Sequence, residues 1–120
     1  MNLKEIAEEL VAGCREDRAK ENLNKLYAPD AVSVEAADMP GMGRETHGVD
    51  GIRGKHDWWE GAHEVSGASV SDPFLHGEDR FAVIFEVQGK VKDSGESFDM
   101  REVGVYHVAN GKIVREEFFY

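Results

Sequence analysis

Residues 26–36 read Leu26-Tyr27-Ala28-Pro29-Asp30-Ala31-Val32-Ser33-Val34-Glu35-Ala36, and the pattern of the chain changes inside them. Upstream, apolar residues recur at helical spacing. Leu3, Ile6, Ala7, Leu10, Val11 and Cys14 mark one face of a helix over 3–15, with acids on the other face. Asn2, followed three residues later by Glu5, resembles a capping box at its start. Gly13 and the charged stretch Arg15-Glu16-Asp17-Arg18 interrupt that stripe, and Ala19, Leu23, Leu26 and Tyr27 mark a second helix over 18–27. Pro29 ends it, because proline lacks an N–H and its ring clashes with the preceding turn.

Beyond Pro29, residues 31–36 predict a short strand and Asp38 to Thr46, with Pro40, Gly41 and Gly43, predicts a loop. A third helix is predicted over 49–60, with Ile52, His56 and Trp59 on one stripe despite Gly51 and Gly54. Then strands dominate. Glu64 to Leu75 is an irregular strand, and Phe81, Val83, Phe85 and Val87 alternate with Ala82, Ile84, Glu86 and Gln88. A polar turn, Lys92-Asp93-Ser94-Gly95-Glu96, leads to Phe98, Met100, Glu102, Gly104, Tyr106 and Val108 on one face of the next strand. Asn110-Gly111 is a hairpin signal before a last strand over 112–120. Helices segregated from a strand meander make the class α+β.

Composition narrows the partners. The 24 acidic and 14 basic side chains give a net charge of −10, the opposite of the basic footprint that nucleic acid or anionic membranes attract. No apolar run is long enough to span a membrane, and the first ten residues carry acids where a signal or transit peptide has bases. A single cysteine permits no intrachain disulfide, which makes a reducing, cytoplasmic setting the expectation. At 120 residues and 41% hydrophobic content the chain is expected to be one domain over 1–120.

Three strings carry a family resemblance. Leu26 to Val32 resembles the "LYADDAV" that closes the second helix of SnoaL-like domains, within the nuclear transport factor 2-like (cystatin-like) superfamily. His47-Gly48-Val49-Asp50-Gly51-Ile52-Arg53 is similar to the group's entry to the third helix, and Asn110 to Tyr120 to its final hairpin. The resemblance implies a curved antiparallel sheet wrapped around the three helices, a cone-shaped α+β barrel with a mostly apolar pocket. It also implies a homodimer through the sheet face, a small-molecule ligand, and acid/base chemistry with no metal or organic cofactor.

Within that frame Glu102 is the leading candidate, a carboxylate on a strand face whose other large members are apolar. Such a group must be paired, with Arg44 or Arg101 as candidates, or carry a shifted pKa. Glu35 falls at a position resembling the general base of ketosteroid isomerases, and His47 stands at the expected pocket mouth as an acid/base or orienting group. Where those isomerases carry a Tyr and a protonated acid, the sequence has Val11 or a neighbour and Gly104. The expected pocket walls are Trp58, Trp59, His56, Phe85, Met100, Tyr106, Glu116, Phe118 and Tyr120. Trp58 and Trp59, about 100° apart on a helix, cannot both face inward. The five histidines show no metal-ligand spacing. The expected activity, if any, is cofactor-free isomerisation or aldol-type cyclisation by Glu102, Glu35 and His47. The competing expectation is a non-catalytic binding or dimerisation module with a side-chain-filled cavity. Epoxide hydrolysis would need acids bridged by an Arg, and Asp99-Met100-Arg101 resembles half of that on the face opposite Glu102.

Overall fold

A computed structural model describes residues 1–41 and 43–120. Met42, part of the expected loop, lies outside the described residues. Three helices, α1 (Leu3–Arg15), α2 (Ala19–Leu26) and α3 (Val49–Ala62), accompany seven strands. These are β1 (Tyr27–Met39), β2 (Gly43–His47), β3 (His63–Val70), β4 (Phe74–His76), β5 (Arg80–Val91), β6 (Ser97–Ala109) and β7 (Lys112–Phe119). They form one curved, unclosed sheet in the order β2-β1-β7-β6-β5-β3, with β4 also paired to β5.

The capping box is present: the Asn2 side chain accepts from the Glu5 N–H at 2.9 Å, and Glu5 accepts from the Asn2 N–H at 2.9 Å. Gly13 does not break α1. It makes room for α2, because a Cβ there would collide with Asn22, whose amide donates to the Glu9 carbonyl at 3.0 Å. The chain reverses through Asp17 in the left-handed region (φ 57°). Ile6, Leu10, Leu23 and Leu26 then bury with Ile52, Phe81, Val83 and Ile113 in a single core between the helices and the inner sheet face.

Four local expectations need correction. β1 begins at Tyr27, ahead of Pro29, rather than at Ala31. Its register against β7 jumps from Tyr27–Ile113 to Val32–Arg115, so Pro29 falls in an unpaired bulge where its missing N–H costs no ladder bond. The predicted loop contains β2, whose Glu45, Thr46 and His47 pair with Val34, Ser33 and Val32. The strand expected over 64–75 is split at Ser71–Pro73 into β3 and β4. Finally, β1 and β7 pair in parallel, so the sheet is mixed. These two strands are remote in sequence, and no hairpin forces them antiparallel.

Bulges bend the sheet around the helices. One lies between Val65 and Gly67 in β3, another between His107 and Val108 where β6 meets β7. The second decides which residues of β7 face inward. Ile113 opposes Val108 and Glu116 opposes Tyr106, so Val114 is the extra residue. The inward set is therefore Ile113, Glu116 and Phe118, odd-numbered before the bulge and even-numbered after it.

Candidate functional site

The concave face and the helices enclose a cavity of about 160 Å³. Leu10 and Cys14 of α1, Ala19, Asn22 and Leu23 of α2, and Tyr27 close one side. His56 of α3, Phe85 of β5, Glu102 and Tyr106 of β6, and Glu116 and Phe118 of β7 form the other. Gly104 shapes this wall. A Cβ at Gly104 would sit 3.0–3.2 Å from the rings of Tyr106, Phe85 and Phe118, so its absence lets the three rings converge. An acid at that position would displace the wall, and the strand carries its carboxylate one inward step earlier, at Glu102.

Glu102 makes no side-chain hydrogen bond or ion pair among the described residues. Arg44 is engaged with the Glu35 carbonyl at 3.0 Å and Arg101 with Glu86 at 3.3 Å, so neither reaches it. Burial, reinforced by the charges of Glu35 and Glu116 and partly offset by Lys55, pushes the Glu102 carboxyl up to about 7. Beside it runs a connected polar network. The Tyr27 hydroxyl donates to Glu116, Ser33 Oγ donates to the other Glu116 oxygen at 2.6 Å, and Lys55 Nζ donates to Ser33 Oγ at 2.9 Å. Lys55 also pairs with Glu35 at 2.8 Å and lies 5.7 Å from the Phe118 ring centroid.

Burial sets the protonation of the other groups. The Tyr27 and Tyr106 hydroxyls are held well above their ordinary value, chiefly by desolvation and then by Glu116, and so stay protonated. His56 is lowered by burial, which keeps its imidazole neutral near pH 7. The Cys14 thiol is pushed up to about 11 by burial and the Glu116 charge, so it is no nucleophile at neutral pH. Among the described residues no group of three or more His, Cys, Asp or Glu is arranged to hold a metal ion.

Of the sequence candidates, Glu102, His56, Phe85, Tyr106, Glu116 and Phe118 meet at this cavity. Glu35 stands beside it, tied to Lys55. His47 does not arrive: β2 is an edge strand, and the exposed His47 ring faces Glu45 at 3.2 Å. Trp58 is exposed, while Trp59 stacks on His63 with ring centroids 4.5 Å apart and packs edge-on against Phe98. Met100 does not line the cavity, and Tyr120 is exposed. Asp99 hydrogen-bonds Gln88 at 3.2 Å on the outer face, so the partial acid–Arg pattern does not enter the cavity. Sequence reasoning passed over Lys55, Ser33 and Tyr27. Lys55 lies three residues after Ile52 on the same helix stripe, and Ser33 lies two before Glu35 on the same strand face, which are the signals that place them inward.

A family model described as a SnoaL-like domain matches residues 1–120. A Mesorhizobium loti protein, described with its crystal structure as a candidate SnoaL-like polyketide cyclase [carbohydrate phosphatase], is 38% identical over 100% of both chains with a TM-score of 0.91. A nuclear transport factor 2-like protein from Burkholderia thailandensis is 23% identical over 99% of this chain and 90% of its own, with a TM-score of 0.81. A Mycobacterium tuberculosis protein solved with estradiol-17β-hemisuccinate is 19% identical over 100% of this chain and 95% of its own, with a TM-score of 0.75. No curated protein sequence matches the chain.

Proposed function

The chain belongs to the SnoaL-like family, and from that premise we propose that its cavity binds a small, largely apolar organic molecule and moves a proton on it without a cofactor. The observation that carries this reading is Glu102, an unpaired carboxyl facing an apolar cavity and pushed up to about 7. Near neutrality it is divided between acid and carboxylate, so one group can remove a proton and return it. Its carboxylate would take a proton from carbon next to a substrate carbonyl. Returning that proton to another carbon completes an isomerisation; closure of the carbanion on a second carbonyl, with the proton delivered to the new alkoxide, completes an aldol-type cyclisation. The cavity volume is close to that known to hold a benzene-sized guest, about 150 Å³, which suits one ring.

Glu35 takes a tuning part in this scheme. Its pairing with Lys55 leaves it poorly placed as a base, but its charge helps raise Glu102. His47 takes no part, and His56 is the neutral imidazole available at the wall. A competing reading, a non-catalytic module with a plugged cavity, fits poorly with the open volume. The proposal includes a cytoplasmic location, from the lone cysteine, and a homodimer through the outer sheet face. There the pairings Ile84–Val103–Phe119 and Phe74–Ala82–Val105 align apolar residues in rows.

The test is hydrogen–deuterium exchange, read by NMR, on a panel of single-ring ketones and 1,3-dicarbonyl compounds in D₂O. The expected result is protein-dependent exchange next to the carbonyl, rising with pH around 7, and lost in Glu102→Gln. Exchange that persists in that variant at the wild-type rate removes Glu102 from the role.

A further inference from the structure

Glu116 is the most buried acid at the cavity, 3% exposed, and among the described residues no cationic side chain stands within 4 Å of it. Its partners are neutral hydroxyls, those of Tyr27 and Ser33. Lys55 reaches it only through Ser33 Oγ and is itself paired with Glu35 at 2.8 Å. Buried charges are ordinarily paired, because an isolated ion loses its hydration without return. The local count is Glu35, Glu116 and the titrating Glu102 against a single Lys55, with no compensating histidine charge. The Glu116 charge is felt across the cavity, raising the pKa of Cys14, Tyr27, Tyr106 and Glu102. The rings of Phe85, Tyr106 and Phe118, brought together over Gly104, line the same cavity, one face of Tyr106 being stacked on Phe81. Aromatic faces attract cations, and Lys55 already lies against Phe118 from outside the cavity.

We propose that the cavity takes the positively charged head of a small alkylammonium compound, with Glu116 as its counter-ion and the three rings as its walls. This rests on the reading of the cavity as a ligand site and names the charge of the ligand. Anions are excluded by the same field. A tetramethylammonium ion is a compact five-heavy-atom guest, close in size to the small guests that a cavity of about 150 Å³ is known to hold.

Three probes of similar shape and different charge test the idea: tetramethylammonium chloride, tert-butyl alcohol and sodium pivalate. Each is titrated at constant ionic strength into ¹⁵N-labelled wild-type protein and followed by NMR. The cation is expected to bind at least about tenfold more tightly than the alcohol, and pivalate not to bind. Its methyl groups should give cross-relaxation to the Tyr106 and Phe118 ring protons. In Glu116→Gln the advantage of the cation over the alcohol should vanish while the alcohol still binds. The proposal is overturned if the alcohol or pivalate binds as well as the cation, if no probe binds, or if the preference survives in Glu116→Gln. Should that variant not fold, the wild-type ranking and ring contacts decide alone. A charge-blind ranking with intact Glu102-dependent exchange overturns this inference only, whereas lost exchange dependence with a clear cation preference overturns the proton-transfer reading only.

Discussion

Glu102 and Lys55 set opposite demands on the same few cubic ångströms. For Glu102 the folded pKa of about 7 lies above its ordinary 4.5, so the folded state holds the proton more tightly than the unfolded chain. Its contribution to stability is therefore fully present below about pH 4.5 and is lost as pH rises through 7, a change of about 3 kcal/mol. Glu102→Gln should flatten that part of the stability–pH curve and raise the melting temperature at pH 8 relative to wild type. Calorimetry at pH 5 and pH 8 reads both; equal pH slopes in the two proteins contradict the shifted carboxyl. Lys55 works the other way, since its charge lowers Glu102. Lys55→Met leaves the half-buried Glu35 without its cation, with an expected loss of about 1–3 kcal/mol in chemical denaturation. It should also move the Glu102 titration, followed by ¹³C NMR of the side-chain carboxyl, further upward. A Glu102 midpoint that stays in place would show that Lys55 does not reach it electrostatically.

At the scale of elements, β6 and β7 make the site, and they differ in how openly the sequence declares them. On β6 strict alternation from Phe98 to Val108 places Glu102, Gly104 and Tyr106 on one face, and the inward surface follows. On β7 Val114 bulges, so inward positions switch from odd to even numbers and both alternating sets read as half-apolar. No local signal distinguishes that from a strand buried on both sides. The same limit hid β2, a short exposed edge strand held by its pairing with β1 rather than by its own apolar residues. The helices were legible because apolar residues recur at helical spacing in each and a capping box marks the start of α1; Lys55 was not, because a charge on a buried stripe reads as solvent-facing until Glu35 and Ser33 are seen beside it. The value of Gly104 belongs here too. Gly104→Ala forces a methyl group to within 3.0–3.2 Å of three rings, two of which, Tyr106 and Phe118, already pack edge to face. The expected loss is about 1–3 kcal/mol, with weaker binding of any cavity probe as the rings splay. A neutral effect on both, measured by urea denaturation and NMR titration, would mean the wall has slack.

For the whole molecule, shape and charge pull against each other. The concave side of the sheet is covered by helices, but the outer side presents Ile84, Val103 and Phe119 in one row and Phe74, Ala82 and Val105 in the next. Phe74 and Phe119 are 58% and 54% exposed, large apolar side chains left open on one face of the sheet, the feature that marks interaction surfaces. A second copy of the chain is the natural cover, since a two-fold axis lays the same rows on themselves. Each copy, however, carries −10, so association works against charge repulsion that salt screens. The proposed dimer should therefore tighten as ionic strength rises, the reverse of an interface held by ion pairs. Phe119→Glu adds a like charge at the end of the row on an exposed side chain outside the core cluster, so it should separate the copies and leave the fold intact. Sedimentation velocity at micromolar concentration, in low and high salt, reads both effects. A wild-type chain that sediments as a monomer under both conditions, or a Phe119→Glu variant that remains dimeric, rules this face out as the interface.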